Sequence, residues 1–359
     1  MAIAAVVLYH AFRLSGHPGL IQGGFLGVSL FFTLSGFLIG SLLLGERDAN
    51  GSIDVGRFWS RRVRRLSPAL FTVIAAVILL TLAHHLAAQP GDVAAAVWGL
   101  TNWHVIISGQ SELLHTIVGP LGPTWSLAVE EQLYLVLVVG VLVAFRTSRP
   151  ERALSVGVVA VVISSIVLAN VVSDWHPRLE FGTDVRAAET AIGVGLALLM
   201  RSSVWRPWSR TAADLAGAVA LALFLALALF VDYDPPWLLR GGYSVVAVIS
   251  AVAIAGALGH GRVAGVLGRP TIVRLGRISY SLYLVHWPVM LVLTPALVHL
   301  RGAPLALVHV AVAVVVAVVL HAAVERPTRA RPIRSVRRLT LAYLTAGLAL
   351  TVGAVTLLG

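Results

Sequence analysis

Two adjacent carboxylates, Glu130 and Glu131, stand near the head of the run WSLAVEEQLYLVLVVGVLVAF, Trp125 to Phe145, which is otherwise apolar for the rest of its length. A carboxylate carried into hydrocarbon is costly, so such a residue marks a functional candidate, and a purely structural one needs a cationic or hydrogen-bonding partner. Ser126, Glu130 and Tyr134 recur every four residues and share one helical face, while Glu131 points about a quarter-turn away. A second proton-active group, His10 in VVLYHAF, sits in another apolar run. Imidazole accepts a proton near neutral pH, so His10 is either a general base or a packing histidine with a hydrogen-bond partner.

Other polar residues surround these two candidates in the reading. The run GGFLGVSLFFTLSGFLIGSLLL, Gly23 to Leu44, carries Gly23, Gly24, Gly27, Ser35, Gly36 and Gly40. Small residues let helices approach closely, and they also leave room for a narrow substrate path. In RFWSRRVRRLSPAL, Arg57 to Leu70, Arg61 and Arg65 share a helical face and Arg62 lies beside Arg61. The cluster is either a topology anchor or a phosphate clamp, because guanidinium pairs bidentately with phosphate. Pro68 is expected near a helix start, where proline is tolerated.

FGTDVRAAETAIG, Phe181 to Gly193, offers Thr183 as a helix cap and places Asp184 and Arg186 as opposite charges at a membrane edge, with Glu189 in reach of Arg186. LGRISYSLYLVHWPV, Leu275 to Val289, brings Tyr280, Tyr283 and His286 onto one helix; Tyr283 and His286 are neighbours, and packing and catalysis both remain open. No metal site is expected: the histidines are scattered, His84 and His85 point to different faces, and H-E-x-x-H is absent. Neither a G-x-S-x-G elbow nor a phosphate-binding P-loop occurs.

The elements that must position these groups follow from composition. Of 359 residues, 58% are hydrophobic and 12% charged, whereas soluble domains are about one quarter charged. Apolar stretches of bilayer-spanning length recur throughout. The expected fold is therefore all-α, a polytopic integral membrane helical bundle with no soluble domain of useful size. There is no cysteine, which excludes disulfides and thiol chemistry. The first apolar run lacks a basic leader and a small-residue cleavage site, so no cleavable signal peptide is expected.

Spans are predicted near 1–14, 24–44, 67–87, 124–145, 153–172, 184–200, 212–231, 238–258, 278–298, 303–323 and 339–358. All 27 cationic side chains are arginine, and 22 of them fall in alternate connections. Those blocks are Arg47 to Arg65, Arg146 to Arg152, Arg201 to Arg210, Arg262 to Arg277 and Arg326 to Arg338. The positive-inside rule places that set in the cytoplasm, the N-terminus with it, and the C-terminus outside. Membrane orientation accounts for the +11 net charge, and no nucleic acid partner is expected. The stretch 92–108, with Trp98 and Trp103, reads as interfacial or re-entrant, because a full span there would reverse the arginine pattern.

The motifs VVLYHA, GGFLGVSLFFTLSGFLI, RFWSRRVRRLSPAL, TWSLAVEEQLYL, GTDVRA, LGRISYSLYLVHWPV and VERP occur in this order over nearly the whole chain. In them the chain resembles the bacterial membrane acyltransferase-three family, integral membrane O-acyltransferases of cell-envelope polysaccharides, peptidoglycan and some antibiotics. The resemblance implies a core of ten transmembrane helices, with the eleventh as a C-terminal addition. It divides the chain into an acyltransferase domain at 1–330 and a basic segment with the eleventh helix at 331–359.

The resemblance further implies a bacterial cytoplasmic membrane location and acyl-CoA as co-substrate, with no permanently bound cofactor. The acceptor would be a hydroxyl-bearing envelope glycan or lipid-linked sugar, and acetyl is the default acyl group. His10 and Glu130 take the catalytic roles, as base or acyl-carrying nucleophile and as orienting carboxylate. Arg61, Arg62 and Arg65 take the donor's phosphates, and Ser35, Ser126, Glu131, Tyr134, Asp184, Arg186, Tyr283 and His286 line the pocket or vestibule.

Two departures accompany the resemblance. The family's first helix carries an arginine eleven residues ahead of the histidine, which here falls two positions before Met1, so the expected start lies upstream or the chain is shortened. Many members continue from an eleventh helix into an outer hydrolase-like domain, so a stand-alone enzyme and a chain lacking that domain both stay open. The rival reading is a transporter or flippase for a lipid-linked or acyl cargo, with His10 and Glu130 as a proton relay; a third is a membrane scaffold.

Overall fold

The computed structural model describes residues 1–108, 119–172, 176–233, 235–330 and 335–359. Arg331 and Arg334 of the last basic block, and the start of the expected 331–359 segment, lie outside the described residues. The apolar runs form helices α1 (Ala2–Leu14), α2 (Gly27–Asn50), α3 (Val55–Leu82), α4 (Thr124–Ala144), α5 (Pro150–Val171), α6 (Thr183–Arg201), α7 (Arg210–Phe230), α8 (Tyr243–Ala257), α9 (Ser279–Val292), α10 (Gly302–Leu320) and α11 (Val336–Leu358). No strand occurs among the described residues. Helices satisfy every backbone donor and acceptor internally, which hydrocarbon demands.

Among the described residues eight helices are long and apolar enough to cross a bilayer: α2 to α5, α7, α8 with the turn before it, α10 with its continuation, and α11. The chain is thus an all-α polytopic membrane protein. Three predicted spans differ from this pattern. α1 has 13 residues and α9 has 14, each about 20 Å of helix against an about 30 Å hydrocarbon core. α9 stops because Thr294 caps a separate short helix, Pro295–Val298. α6 has 19 residues but carries Asp184, Arg186, Glu189 and Arg201. The stretch 92–108 forms two short helices, Pro90–Val97 and Thr101–Ile107, broken at Gly99, whose φ of 66° is a left-handed value glycine takes without strain. Pro68 corrects another expectation: α3 begins at Val55, so the proline lies inside the helix and removes one donor from its ladder.

The chain forms two compact units. The first comprises Met1–Tyr9, Gly19–Ile53 and Val129–Gly276; the second comprises His10–Pro18, Asp54–Ala128 and Arg277–Gly359. α1 and α4 each contribute residues to both.

In the first unit α2 packs on α6, α5 on α6, and α7 on α8. Glycines set the closeness of these contacts. A Cβ at Gly36 would strike the backbone of Thr190, and one at Gly193 would strike the backbone of Thr33. Gly217 and Gly256 meet in the same way between α7 and α8. The small residues of Gly23 to Leu44 therefore serve helix packing. Gly36→Ala and Gly193→Ala are each expected to cost about 1–3 kcal/mol by overpacking, read as a lowered thermal midpoint of the detergent-solubilised protein.

In the second unit α9 packs on α10 and α3, and α11 packs on α3 and on Pro90–Val97. The Tyr280 hydroxyl donates to the carbonyl of Leu66 at 2.8 Å, tying the start of α9 to α3. His309 donates through Nε2 to the Leu293 carbonyl at 2.9 Å and so holds the end of α9 against α10.

Candidate active site

In the second unit, α9 presents Tyr283, His286 and Trp287 on one face, three and four residues apart. His10 of α1 meets this face. Its Nδ1 lies 3.1 Å from His286 Nε2, and the two ring planes differ by 20°. The Trp287 ring covers the His10 ring with centroids 5.1 Å apart. Both imidazoles are buried, His286 completely.

The protons of this pair can be assigned from its partners. His286 Nδ1 lies 2.7 Å from the Tyr283 carbonyl, which only accepts, so Nδ1 carries the proton. In the neutral ring His286 Nε2 is then an acceptor, and it takes the Nδ1 proton of His10. That leaves the lone pair of neutral His10 on Nε2, the nitrogen of a general base.

The scaffold beneath is fastened by further polar contacts. The Tyr283 hydroxyl donates to the Pro123 carbonyl at 3.0 Å and lies 2.6 Å from Ser126 Oγ. Ser126 Oγ also donates to the Pro123 carbonyl, at 3.3 Å. Trp287 Nε1 donates to the Gly119 carbonyl at 2.9 Å. Four residues singled out in the sequence, His10, Ser126, Tyr283 and His286, thus share one hydrogen-bonded cluster, and His286 holds His10 at Nδ1.

The first unit holds a second cluster. Tyr134 donates its phenolic proton to Glu130 Oε1, and Ser35 of α2 donates in turn to the Tyr134 oxygen. Tyr134 is buried and Glu130 half-buried. Glu131 is also half-buried, on the neighbouring face that the helical repeat predicts.

Asp184 and Arg186 have different surroundings. Asp184 accepts from Arg178 at 2.5 Å and from the Val185 amide at 3.0 Å. Arg186 is buried and pairs bidentately with Glu189, at 2.6 and 3.1 Å. It also donates to the Glu180 carbonyl at 2.9 Å, and its guanidinium lies 3.8 Å from the Tyr243 ring centroid. The expected Arg186–Glu189 pair is therefore present, and Ser29 Oγ at 3.4 Å and the Phe32 ring, both on α2, complete the surroundings of the guanidinium. The cap of α6 is Gly182 rather than Thr183; the Thr183 hydroxyl instead donates to Gln132 at 2.5 Å. Outside the spanning segments, Tyr233 donates to the Glu180 carboxylate, and burial, seconded by that carboxylate, pushes its phenol well up.

The arginine set lies on the first turns of α3, with Arg61 and Arg62 half-buried and Arg65 exposed. Glu325 is a residue whose role the sequence reading did not foresee. It is buried and accepts from Ser281 at 2.8 Å, His321 at 2.9 Å and Arg329 at 3.2 Å. The i, i+4 spacing of His321, Glu325 and Arg329 was the available signal; the contact to Ser281 was invisible, being 44 residues away. Trp287 was also missed, although its i+1 place beside His286 was in view.

The fold and this cluster define a class: a polytopic helical membrane protein with a buried, hydrogen-bonded imidazole pair fit for proton transfer. The acyltransferase domain family (Acyl_transf_3) matches residues 1–323, and the chain belongs to that family. It is 31% identical over 310 residues to the peptidoglycan O-acetyltransferase OatA of Listeria monocytogenes, covering 83% of this chain and 49% of that protein. It is 29% identical over 306 residues to a putative O-acetyltransferase of Staphylococcus aureus strain COL, covering 81% and 49%. It is 28% identical over 304 residues to the O-acetyltransferase OatA of Staphylococcus aureus strain NCTC 8325, covering 80% and 49%. The chain spans about half the length of these curated relatives. No solved structure matches it.

Proposed function

We propose that this protein is an integral membrane O-acyltransferase of the bacterial cytoplasmic membrane. It moves an acyl group, acetyl by default, from acyl-CoA to a hydroxyl of an envelope glycan or lipid-linked sugar. The single observation that carries the reading is the imidazole pair, which leaves the basic nitrogen of His10 at Nε2. Family membership supplies the reaction class, and the names of the relatives point to a glycan acceptor.

In the proposed reaction His10 Nε2 takes the proton of the acceptor hydroxyl as its oxygen attacks the thioester carbonyl. A C–O bond forms, the C–S bond breaks, and the proton passes from the imidazolium to the departing thiolate. His286 keeps His10 in the required tautomer and shares the charge of the imidazolium, the part an orienting group plays in a triad. Glu130 enters on the sequence reading, as a carboxylate that stabilises positive charge in the same step. With the N-terminus cytoplasmic, Arg61, Arg62 and Arg65 hold the donor's phosphates at the inner surface.

The test is acyl transfer from radiolabelled acetyl-CoA by purified protein in vesicles supplied with envelope glycan. Donor turnover with label on the glycan is expected; vesicle transport of cargo without donor turnover would replace this reading with a transporter. Arg61→Ala with Arg65→Ala is expected to raise the KM for acetyl-CoA about 10- to 100-fold, the loss of charged hydrogen bonds of about 1.5–3 kcal/mol, with kcat little changed.

A further inference from the structure

The second unit contains a groove of about 320 Å³ whose lining is wholly apolar. α9 forms its floor with Pro288 and Val289, and α3 and α10 form its walls, with Thr72, Ala76 and Leu80 on one and Val316 on the other. The floor residues lie on a different face of α9 from Tyr283, His286 and Trp287, so the groove is separate from the imidazole cluster. Its shape follows from short side chains: proline, alanine and valine line most of it. The one hydroxyl there, on Thr72, donates to the Pro68 carbonyl at 2.8 Å and so is turned back onto its own helix. Ala76 and Val316 are exposed, so the groove opens outward from helices of bilayer-spanning character.

We propose that this groove binds one hydrocarbon chain of an anionic phospholipid as a resident lipid. The length fits one leaflet. Thr72 to Leu80 is about 12 Å of helix, against about 15 Å for half of a 30 Å hydrocarbon core. Water finds no exposed polar surface on this lining, and an unfilled groove would forfeit the dispersion contacts of its walls. Charge selects the lipid. Leu320 is the last groove-lining residue of α10, and from it the chain continues into Arg326 and Arg329, both of which are exposed. Arg329 is shared with Glu325, and Arg326 is a second exposed cation six residues beyond the groove-lining Leu320. Juxtamembrane arginines attract anionic headgroups in this way. A coenzyme thioester fits less well, because its phosphates and its acyl chain are separated by the whole pantetheine arm, whereas Arg326 follows the groove-lining Leu320 by six residues, about 9 Å of helix.

The proposal is independent of catalysis, and its test reads lipid rather than turnover. The full-length protein is titrated with phosphatidylglycerol or phosphatidylcholine in mixed micelles and observed by native mass spectrometry. One tightly held phosphatidylglycerol is expected, with phosphatidylcholine held at least tenfold more weakly. Ala76→Trp, which fills the groove from α3, is expected to weaken retention at least tenfold; Val316→Trp does the same from α10 should the first variant fail to fold. Arg326→Gln is expected to reduce the preference for phosphatidylglycerol while leaving chain binding. Equal retention by wild type and both folded tryptophan variants would overturn the assignment. So would equal affinity for the two lipids, preferential capture of palmitoyl-CoA, or a second copy of the chain bound in place of lipid.

Discussion

His10→Ala is expected to lower the proposed acyl transfer by about 10²–10⁴-fold, the range a positioned general base contributes. The measurement is single-turnover loss of acetyl from labelled acetyl-CoA, made on protein shown to be folded by its elution and thermal midpoint. His286→Ala is expected to approach the same loss although it need not touch substrate, because it removes the acceptor that fixes the His10 tautomer. His286→Gln discriminates between positioning and packing. Its side-chain oxygen can accept the His10 Nδ1 proton, so partial recovery of rate over His286→Ala is expected. A His286→Ala enzyme with wild-type turnover would end the tautomer argument, and a His10→Ala enzyme with wild-type turnover would end the mechanism. Glu130→Gln combined with His10→Ala tests the carboxylate: if both serve one step, the double variant loses little more than His10→Ala alone, since residues acting as a unit are non-additive.

Much of this fold was legible because hydrocarbon leaves few options. Apolar runs had to be helices, and their lengths and arginine-rich connections were visible in the chain. Local pairs were legible for a related reason. Tyr134 four residues after Glu130, and Glu189 three after Arg186, are neighbours on any α-helix, and both contacts are present. The long-range contacts carried no such signal. His10 and His286 are 276 residues apart, and Ser35 and Tyr134 are 99 apart; only tertiary packing joins them. Span length was misjudged only where a run's hydropathy extended past its helix, whereas the expected 1–14 and 184–200 match the helices Ala2–Leu14 and Thr183–Arg201. α9 is the clear case, since Thr294 and Pro295 end it inside an apolar stretch that composition alone continues. The reading of Thr183 as a cap failed because Gly182 already has the extended backbone of that position, which frees the threonine hydroxyl for Gln132.

Glu189→Gln is expected to destabilise the protein by about 3–5 kcal/mol, because breaking one side of a buried pair leaves the other charge uncompensated. Glu189 is completely buried and Arg186 nearly so, and two donor nitrogens of the guanidinium point at the carboxylate. The other contacts of Arg186, with the Glu180 carbonyl, with Ser29 and the Phe32 ring of α2, and with the Tyr243 ring of α8, cannot replace a full negative charge. The measurement is thermal unfolding in one detergent, with wild type, both single variants and the double variant side by side. Arg186→Leu should be comparably damaging, since it strands the carboxylate instead. Arg186→Leu with Glu189→Leu should be milder than the sum of the singles, as replacement of a whole buried pair by apolar groups is often close to neutral. Additive losses would mean that the two side chains do not act as a pair. The double variant also separates fold from function at this position: recovered stability with lost acyl transfer would mark Arg186 as part of the reaction's vestibule, whereas recovery of both would leave it a brace between α6, α2 and α8.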